Sequence, residues 1–325
     1  MKRIIVTLLL LASFAGLRAQ TVEFTVSDGV SNAALKQRIG NNLTYLLSSF
    51  NQAYDLSAAP DFSRVFITPD AVEGVLMLWE NMPFHCEEPE IVERVLTIAS
   101  GYQVRNVPIE LRTDNGGNDY QELVIEMEPD GTVSRINLAL QNHLYRKVMS
   151  DGSEVTDLRC RQMILDYVEQ FRTAYNRKDI DFLENVFSDD ALIITGKVVR
   201  RKKGDRSAVL KDSPEIVYSE QTKQEYIEKL RTRVFPNAKY IQVTFSDIKV
   251  SKHPSINGYY GVMLRQGYKS SSYSDDGYLF MIWDFRDEAH PQIHVRTWQP
   301  YWLDTGKTQK LQEDKVFNIN SFTIR

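Results

Sequence analysis

The sequence predicts an α+β chain of two domains, and three observations carry that expectation. Its 325 residues exceed what one hydrophobic core ordinarily organises. The second half reads as helix, short helix, strand, helix and then four runs rich in β-branched and aromatic residues, and the first half carries a fainter version of the same order. Between Val148 and Thr156 the chain loses all apolar periodicity and carries the turn pair Asp151-Gly152, so the boundary is expected there. The domains are then residues 20–150, a smaller α+β domain, and residues 151–325.

Ahead of both stands MKRIIVTLLLLASFAGLRAQ, with basic Lys2 and Arg3, an apolar run from Ile4 to Leu11 and small residues before Ala19. It reads as a signal peptide of residues 1–19, cleaved near Ala19, because the run is shorter than the roughly 20 residues of a membrane span. The expected product is periplasmic or secreted, with no transmembrane segment after cleavage. Losing Lys2, Arg3 and Arg18 moves the formal charge from -4 to -7. An acidic chain is ill suited to displacing counterions from phosphates, so nucleic acid is excluded as a partner. The one dense basic run, Lys197 to Arg206, carries Gly204-Asp205 and reads as a charged hairpin tip.

In the second domain, Ile164, Tyr167, Val168, Phe171, Ala174 and Tyr175 mark one face of a helix from about Thr156-Asp157 to Arg177. A short helix, Ile180 to Phe187, is closed by Ser188-Asp189-Asp190, and Ala191 to Thr195 is a strand. Thr222 and Glu225 form a capping-box pattern opening a third helix that runs to about Val234, with Pro236 ending it. Tyr240 to Val250, Tyr259 to Tyr268, Tyr278 to Phe285 and Ile293 to Gln299 then read as an antiparallel meander. In the first domain, Leu35 to Phe50 and Ile91 to Ala99 are the expected helices. Val104 to Arg112, Glu122 to Glu128 and Val133 to Leu140 are the strands, the last two joined by a turn at Pro129 to Thr132. The first domain as a diverged copy of the second, and the shared order as coincidence, stand as open alternatives.

The stretch ILDYVEQFRTAYNRKDIDFLENVFSDDALIITGK, residues 164–197, resembles the opening of the nuclear transport factor 2-like superfamily, which includes ketosteroid isomerase, scytalone dehydratase and polyketide cyclases. The likeness lies in Ala174-Tyr175-Asn176, Lys178-Asp179, Leu183, Phe187 and Asp189-Asp190-Ala191, and it covers residues 157 to about 303. It implies a cone, a strongly bent sheet wrapped around helices with a pocket at its open end. The superfamily hosts enzymes, transport adaptors and assembly domains, so the fold alone names no activity. Asp179 is expected to cap the short helix, and Asp189 and Asp190 to bond their own turn backbone.

In ketosteroid isomerases a carboxylate base sits on the first strand, where this chain has Thr195. A threonine hydroxyl has no accessible protonation equilibrium near neutral pH, so the isomerase assignment loses its principal residue. On the last strand, period-two alternation groups His294, Arg296 and Trp298 on one face. Histidine can trade a proton, arginine can hold an anion and tryptophan offers a flat wall. The competing structural expectation is a packed sheet face, with Arg296 paired to Asp284.

Cys86 and Cys160 are too few for a disulfide framework, and they read either as one bridge or as two buried thiols. None of the five histidines pairs with another at metal-ligand spacing on one helix, and no nucleophile elbow or P-loop occurs, so neither metal nor cofactor is expected. Asp114 to Asp119 reads as a hairpin tip rather than a calcium loop, because the closing glutamate is missing. The leading functional expectation is a non-catalytic envelope protein binding a protein partner or a small apolar or aromatic ligand, with Thr195, His294, Arg296 and Trp298 as binding residues. A homodimer through a sheet face, and assembly through a C-terminal strand at Val316 to Ile324, are further expectations. The alternative is an enzyme of the isomerase, dehydratase or cyclase kind using His294 as acid or base and Arg296 as anion anchor.

Overall fold

The computed structural model describes residues 21–112, 118–151, 155–199 and 214–323. The leader, most of the Asp114 to Asp119 tip, Gly152 of the expected linker turn and the body of the basic hairpin lie outside the described residues. The chain divides into two compact units, Met1–Ile136 and Asn137–Arg325. That division falls ahead of the expected position at 150/151. The reason is a short helix at Asn142–Ser150, whose Leu144 and Val148 are buried and which packs within the second unit. The Asp151 turn therefore links two helices of one unit.

The first unit runs β1 (Glu23–Val26), α1 (Ala33–Leu56), α2 (Pro69–Asn81), β2 (Phe84–His85), β3 (Glu90–Glu93), β4 (Val95–Ile98), β5 (Gly101–Arg112), β6 (Asn118–Met127) and β7 (Val133–Leu138), whose last two residues fall past the division. Asn32 caps α1 by accepting from the Leu35 amide, and the helix buries Ile39, Leu43, Leu46, Leu47 and Phe50 as its periodicity requires. The segment Ile91 to Ala99, expected as a helix, is instead the strands β3 and β4. Its β-branched residues Ile91, Val92, Val95, Thr97 and Ile98 favour the pleat, and β1 and β5 supply partners. Gly101 closes the β4–β5 hairpin at φ 144°, where a Cβ would stand 2.2 Å from the Met127 carbonyl oxygen. Helix α2 is the element that periodicity missed. Thr68 accepts from the Ala71 amide and Pro69 occupies the first turn, a start signal plainly present in the sequence.

The second unit runs α3 (Asn142–Ser150), α4 (Leu158–Asn176), α5 (Ile180–Val186), β8 (Phe187–Val199), β9 (Glu215–Gln221), α6 (Lys223–Lys229), β10 (Ile241–Lys252), β11 (Tyr259–Ser270), β12 (Ser274–Asp284) and β13 (Gln292–Pro300). Asp157 caps α4, Asp179 caps α5, and Thr222 with Glu225 closes the capping box of α6, as the sequence predicts. Past Lys229 the chain continues through a π-turn to a last helical turn that contains Pro236. Strand β8 starts earlier than expected and takes in Ser188, Asp189 and Asp190. Their acids therefore bond side chains rather than a turn backbone: Asp189 accepts from Lys223 Nζ at 2.9 Å and Asp190 from Ser188 Oγ at 2.8 Å.

The six strands lie in the order β10-β11-β12-β13-β8-β9. The meander β10 to β13 is antiparallel as expected, but β8 joins β13 in parallel, so the sheet is mixed. Helix α4 packs on β10 at one edge of the sheet, and α6 packs on β8 and β9 at the other. Bulges between Ser246 and Lys249, Ile282 and Trp283, and Ile293 and Val295 supply local bends. The enclosed core joins Ile164, Val168 and Phe171 of α4 to Val262, Leu264, Leu279, Met281 and Trp283 of the sheet. Arg172 and Asn176 pin α4 to β10: Arg172 Nε donates to the Val243 carbonyl at 2.8 Å, and Asn176 Oδ1 accepts from the Val243 amide at 2.6 Å.

The tail does not form the added strand expected at Val316 to Ile324. Its described part turns through a 3-10 segment at Ile319–Ser321 and lays Phe317, Ile319 and Phe322 on the sheet's outer face, beside Tyr259, Phe280, Ile282 and Val295. Gln299 holds it there, accepting from the Phe317 amide at 2.8 Å and donating to the Lys315 carbonyl at 3.0 Å. Both cysteines are free thiols.

Candidate functional site in the second unit

Register sorts the last strand pair. On β12, Leu279, Met281 and Trp283 belong to the enclosed core, while Phe280 and Ile282 belong to the outer cluster. On β13, Arg296 stands opposite Met281 and Trp298 opposite Leu279, so both face inward; Thr297 opposes Phe280 and Val295 opposes Ile282, so they face outward. The register skips His294, because Ile282 pairs Val295 and Trp283 pairs Ile293. An extra residue at a bulge breaks strict alternation. His294 turns to the outer face, where its Nε2 lies 3.5 Å from the Tyr259 hydroxyl and 3.5 Å from Asp284 Oδ2, and its Nδ1 lies 3.5 Å from Asp190 Oδ1.

Two expectations are corrected here. Arg296 and Trp298 share a face without His294, so a pocket using His294 as acid or base beside an Arg296 anchor does not form. Asp284 is not the partner of Arg296 either: it lies on the outer side and binds Arg286, whose Nη2 is 2.7 Å from its Oδ2. Thr195 does stand beside the inward pair, its Cα in register with Trp298 on the neighbouring strand β8.

Arg296 is 6% exposed and lies over the Tyr226 ring, 5.1 Å from its centroid. It has no ion-pair partner among the described residues, and its Nε is enclosed without a hydrogen-bond partner. Burial opposes its charge, but the oxygens of Tyr226 and Tyr175 and the carboxylate of Asp275 outweigh that and hold its pKa above the ordinary value. The two tyrosine hydroxyls lie 2.5 Å apart. Burial, first, and the neighbouring Tyr226 push the Tyr175 hydroxyl well above its ordinary pKa. Sequence periodicity places Tyr175 on a core face, but its pairing with Tyr226 depends on a tertiary contact that no spacing reveals.

Asp275 connects this buried group to the surface. It lines a cavity of about 690 Å³ with Tyr273, Trp298, Pro300, Trp302, Lys197 and Lys307. Burial raises its carboxyl to about 6, against the hydrogen bond from the Tyr273 hydroxyl and the charge of Arg296. The Tyr273 hydroxyl donates to Asp275 Oδ2 at 2.9 Å, while Asp275 Oδ1 is enclosed and unpartnered. Gly277 makes room for the wall: a Cβ there would stand 2.6 Å from the Trp298 indole. The cavity offers an aromatic wall and a carboxyl raised to about 6, and the buried Arg296 lies outside its lining.

No family profile matches the chain, and no curated protein matches it. Among solved structures it is similar to a nuclear transport factor 2-like protein from Cytophaga hutchinsonii, with 19% identity over 43% of this chain and 97% of that one and a TM-score of 0.31. Nuclear transport factor 2 from Cryptosporidium parvum shares 9% identity over 43% of this chain and 92% of its own, with a TM-score of 0.31. The Bdellovibrio bacteriovorus protein Bd1075 shares 14% identity over 52% of this chain, with a TM-score of 0.33, and the match spans 48% of that protein. The structural neighbours are nuclear transport factor 2-like proteins. A putative scytalone dehydratase and the β subunit of a putative aromatic-ring-hydroxylating dioxygenase, both from Novosphingobium aromaticivorans, are also among them. These matches cover 43 to 52% of the chain.

Proposed function

We propose that this chain is an exported envelope protein whose nuclear transport factor 2-like unit binds a small apolar or aromatic acid in the cavity walled by Trp298. Trp298 and Trp302 line that cavity and cover the apolar body, and Arg296, which lies outside the lining, attracts the acidic group by its charge. One observation carries the reading: Arg296 is a buried guanidinium that forms no salt bridge among the described residues, and its Nε has no hydrogen-bond partner. A desolvated cation is costly unless an anion or well-placed dipoles compensate it; Tyr226, Tyr175 and Asp275 offset the charge here, while the Nε donor stays unmatched. A carboxylate ligand completes the set by the planar, two-pronged contact that guanidinium favours. Export rests on the leader alone.

The test is calorimetric titration of the mature chain with aromatic carboxylic acids and their uncharged amides. The acids bind and the amides bind at least about tenfold more weakly, a difference of about 1.4 kcal/mol. Arg296→Lys keeps the charge but not the fork and weakens the acid alone. Equal affinity for acid and amide overturns the reading.

A second reading is favoured by Asp275, whose carboxyl near pKa 6 lines the same cavity. A group poised there can carry a proton to or from a bound ligand, which gives the isomerase, dehydratase or cyclase alternative an acid-base residue in place of His294. Turnover of a ligand that Asp275→Asn abolishes while leaving binding intact selects this reading over simple binding.

A further inference from the structure

We propose that the first unit holds a divalent transition-metal ion between His85, Glu87 and Glu110. His85 on β2 stands directly opposite Glu110 on β5, and Glu87 lies two residues beyond His85, the spacing that returns a side chain to the same side of an extended chain. A ligand atom from each of the three lies within 4.8 Å of the others. His85 Nε2 is 3.9 Å from Glu87 Oε1. Metal–ligand bonds of about 2.0–2.2 Å at tetrahedral angles place donor atoms about 3.3–3.6 Å apart. Closing the triad therefore takes small side-chain rotations, chiefly of Glu87, whose side chain is 61% exposed.

The imidazole is held for this role. Its ring stacks on Tyr54 at 4.2 Å between centroids, and the Arg112 guanidinium lies over the same Tyr54 ring at 4.2 Å. The Nδ1 atom is enclosed without a hydrogen-bond partner, so Nε2 is the nitrogen that meets a ligand, and it is the one that faces Glu87. Two carboxylates beside one another repel, and a bound cation turns that repulsion into attraction.

The donor set selects the ion. One imidazole with two carboxylates suits zinc, manganese or ferrous iron, while calcium takes six to eight oxygens. Cys86, between His85 and Glu87, is no donor to this triad: it is buried at 1% exposure, and its sulfur lies 3.7 Å from the Glu88 carbonyl oxygen. Three protein ligands leave a position for water, the layout of an accessible zinc site.

Zinc titrated calorimetrically into the chelator-treated full chain tests the site, with thermal melting as a second readout. One ion binds per chain and raises the melting temperature; His85→Ala and Glu110→Gln each weaken binding by at least about tenfold. The exposed Glu87→Gln cannot unfold the unit and weakens binding too, whereas Cys86→Ser and His294→Ala leave it unchanged. Absence of zinc binding to the wild-type chain, unchanged binding in His85→Ala, or loss of binding in Cys86→Ser overturns the proposal.

Discussion

His294 and Arg296 stand two residues apart on β13 and face opposite sides of the sheet, because the register with β12 passes over His294. His294→Ala therefore leaves ligand affinity in the second unit within about twofold of wild type, while Arg296→Lys lowers affinity for a carboxylic acid by at least about tenfold, a difference of about 1.4 kcal/mol. Parallel titrations of both variants check this.

Asp275 gives the second unit a pH dependence of known sign. Its folded value near 6 lies above the 3.8 of the free group, so its contribution to stability is fully present below about pH 4 and is lost as the pH rises through 6. The full span is on the order of 2–3 kcal/mol. Asp275→Asn removes that slope, so its melting temperature exceeds the wild type's at pH 8 and approaches it at pH 4. Affinity for an anionic ligand follows the same group: it falls between pH 5 and 7 in the wild type and stays level in the variant.

The Tyr175 and Tyr226 hydroxyls meet at 2.5 Å inside the core. Tyr175→Phe leaves the buried Tyr226 hydroxyl without that partner and costs about 1–3 kcal/mol in denaturant unfolding. The double variant Tyr175→Phe with Tyr226→Phe costs less than the two single changes added together, since no orphaned hydroxyl remains.

Gly277 faces the Gln299 carbonyl oxygen, 2.4 Å from where a Cβ would stand, and the Trp298 indole at 2.6 Å. Gly277→Ala pushes the indole from its place and costs about 1–3 kcal/mol. Tryptophan fluorescence of the variant shifts toward the exposed value, and ligand affinity falls with it.

The C-terminal segment covers an apolar outer face, with the Phe322 ring stacked on Phe280 at 6.0 Å between centroids and 8° between planes. Truncation after Gln312 uncovers Phe280, Ile282 and Val295. The truncated chain binds more of a hydrophobic dye than the full chain, and sizing at increasing concentration reads self-association through the bared face.

The second unit was legible wherever local chemistry decides structure. Asp157, Asp179 and the Thr222–Glu225 pair announce helix starts because a capping oxygen must lie within a few residues of the amide it serves. The meander followed from β-branched runs between turns. What failed was set at a distance. Ile91 to Ala99 has enough apolar residues for a helix face, and only the pairing of β3 with β1 and of β4 with β5 settles it as strand. The His294 bulge exists because β12 and β13 differ in local register, so counting alternate residues along one strand cannot find it. Arg296 and Trp298 were placed together correctly by that same count, since no bulge separates them. Asp275 went unnoticed, because its cavity is assembled from β8, β12, β13 and the segment after it.

The most direct measurement is the NMR signal of the Arg296 Nε–Hε group in the mature chain during titration with an aromatic carboxylic acid and with the matching amide. The signal moves with the acid, saturates at its calorimetric affinity and stays in place with the amide. An acid that binds the chain at full stoichiometry while that signal does not move would contradict the account.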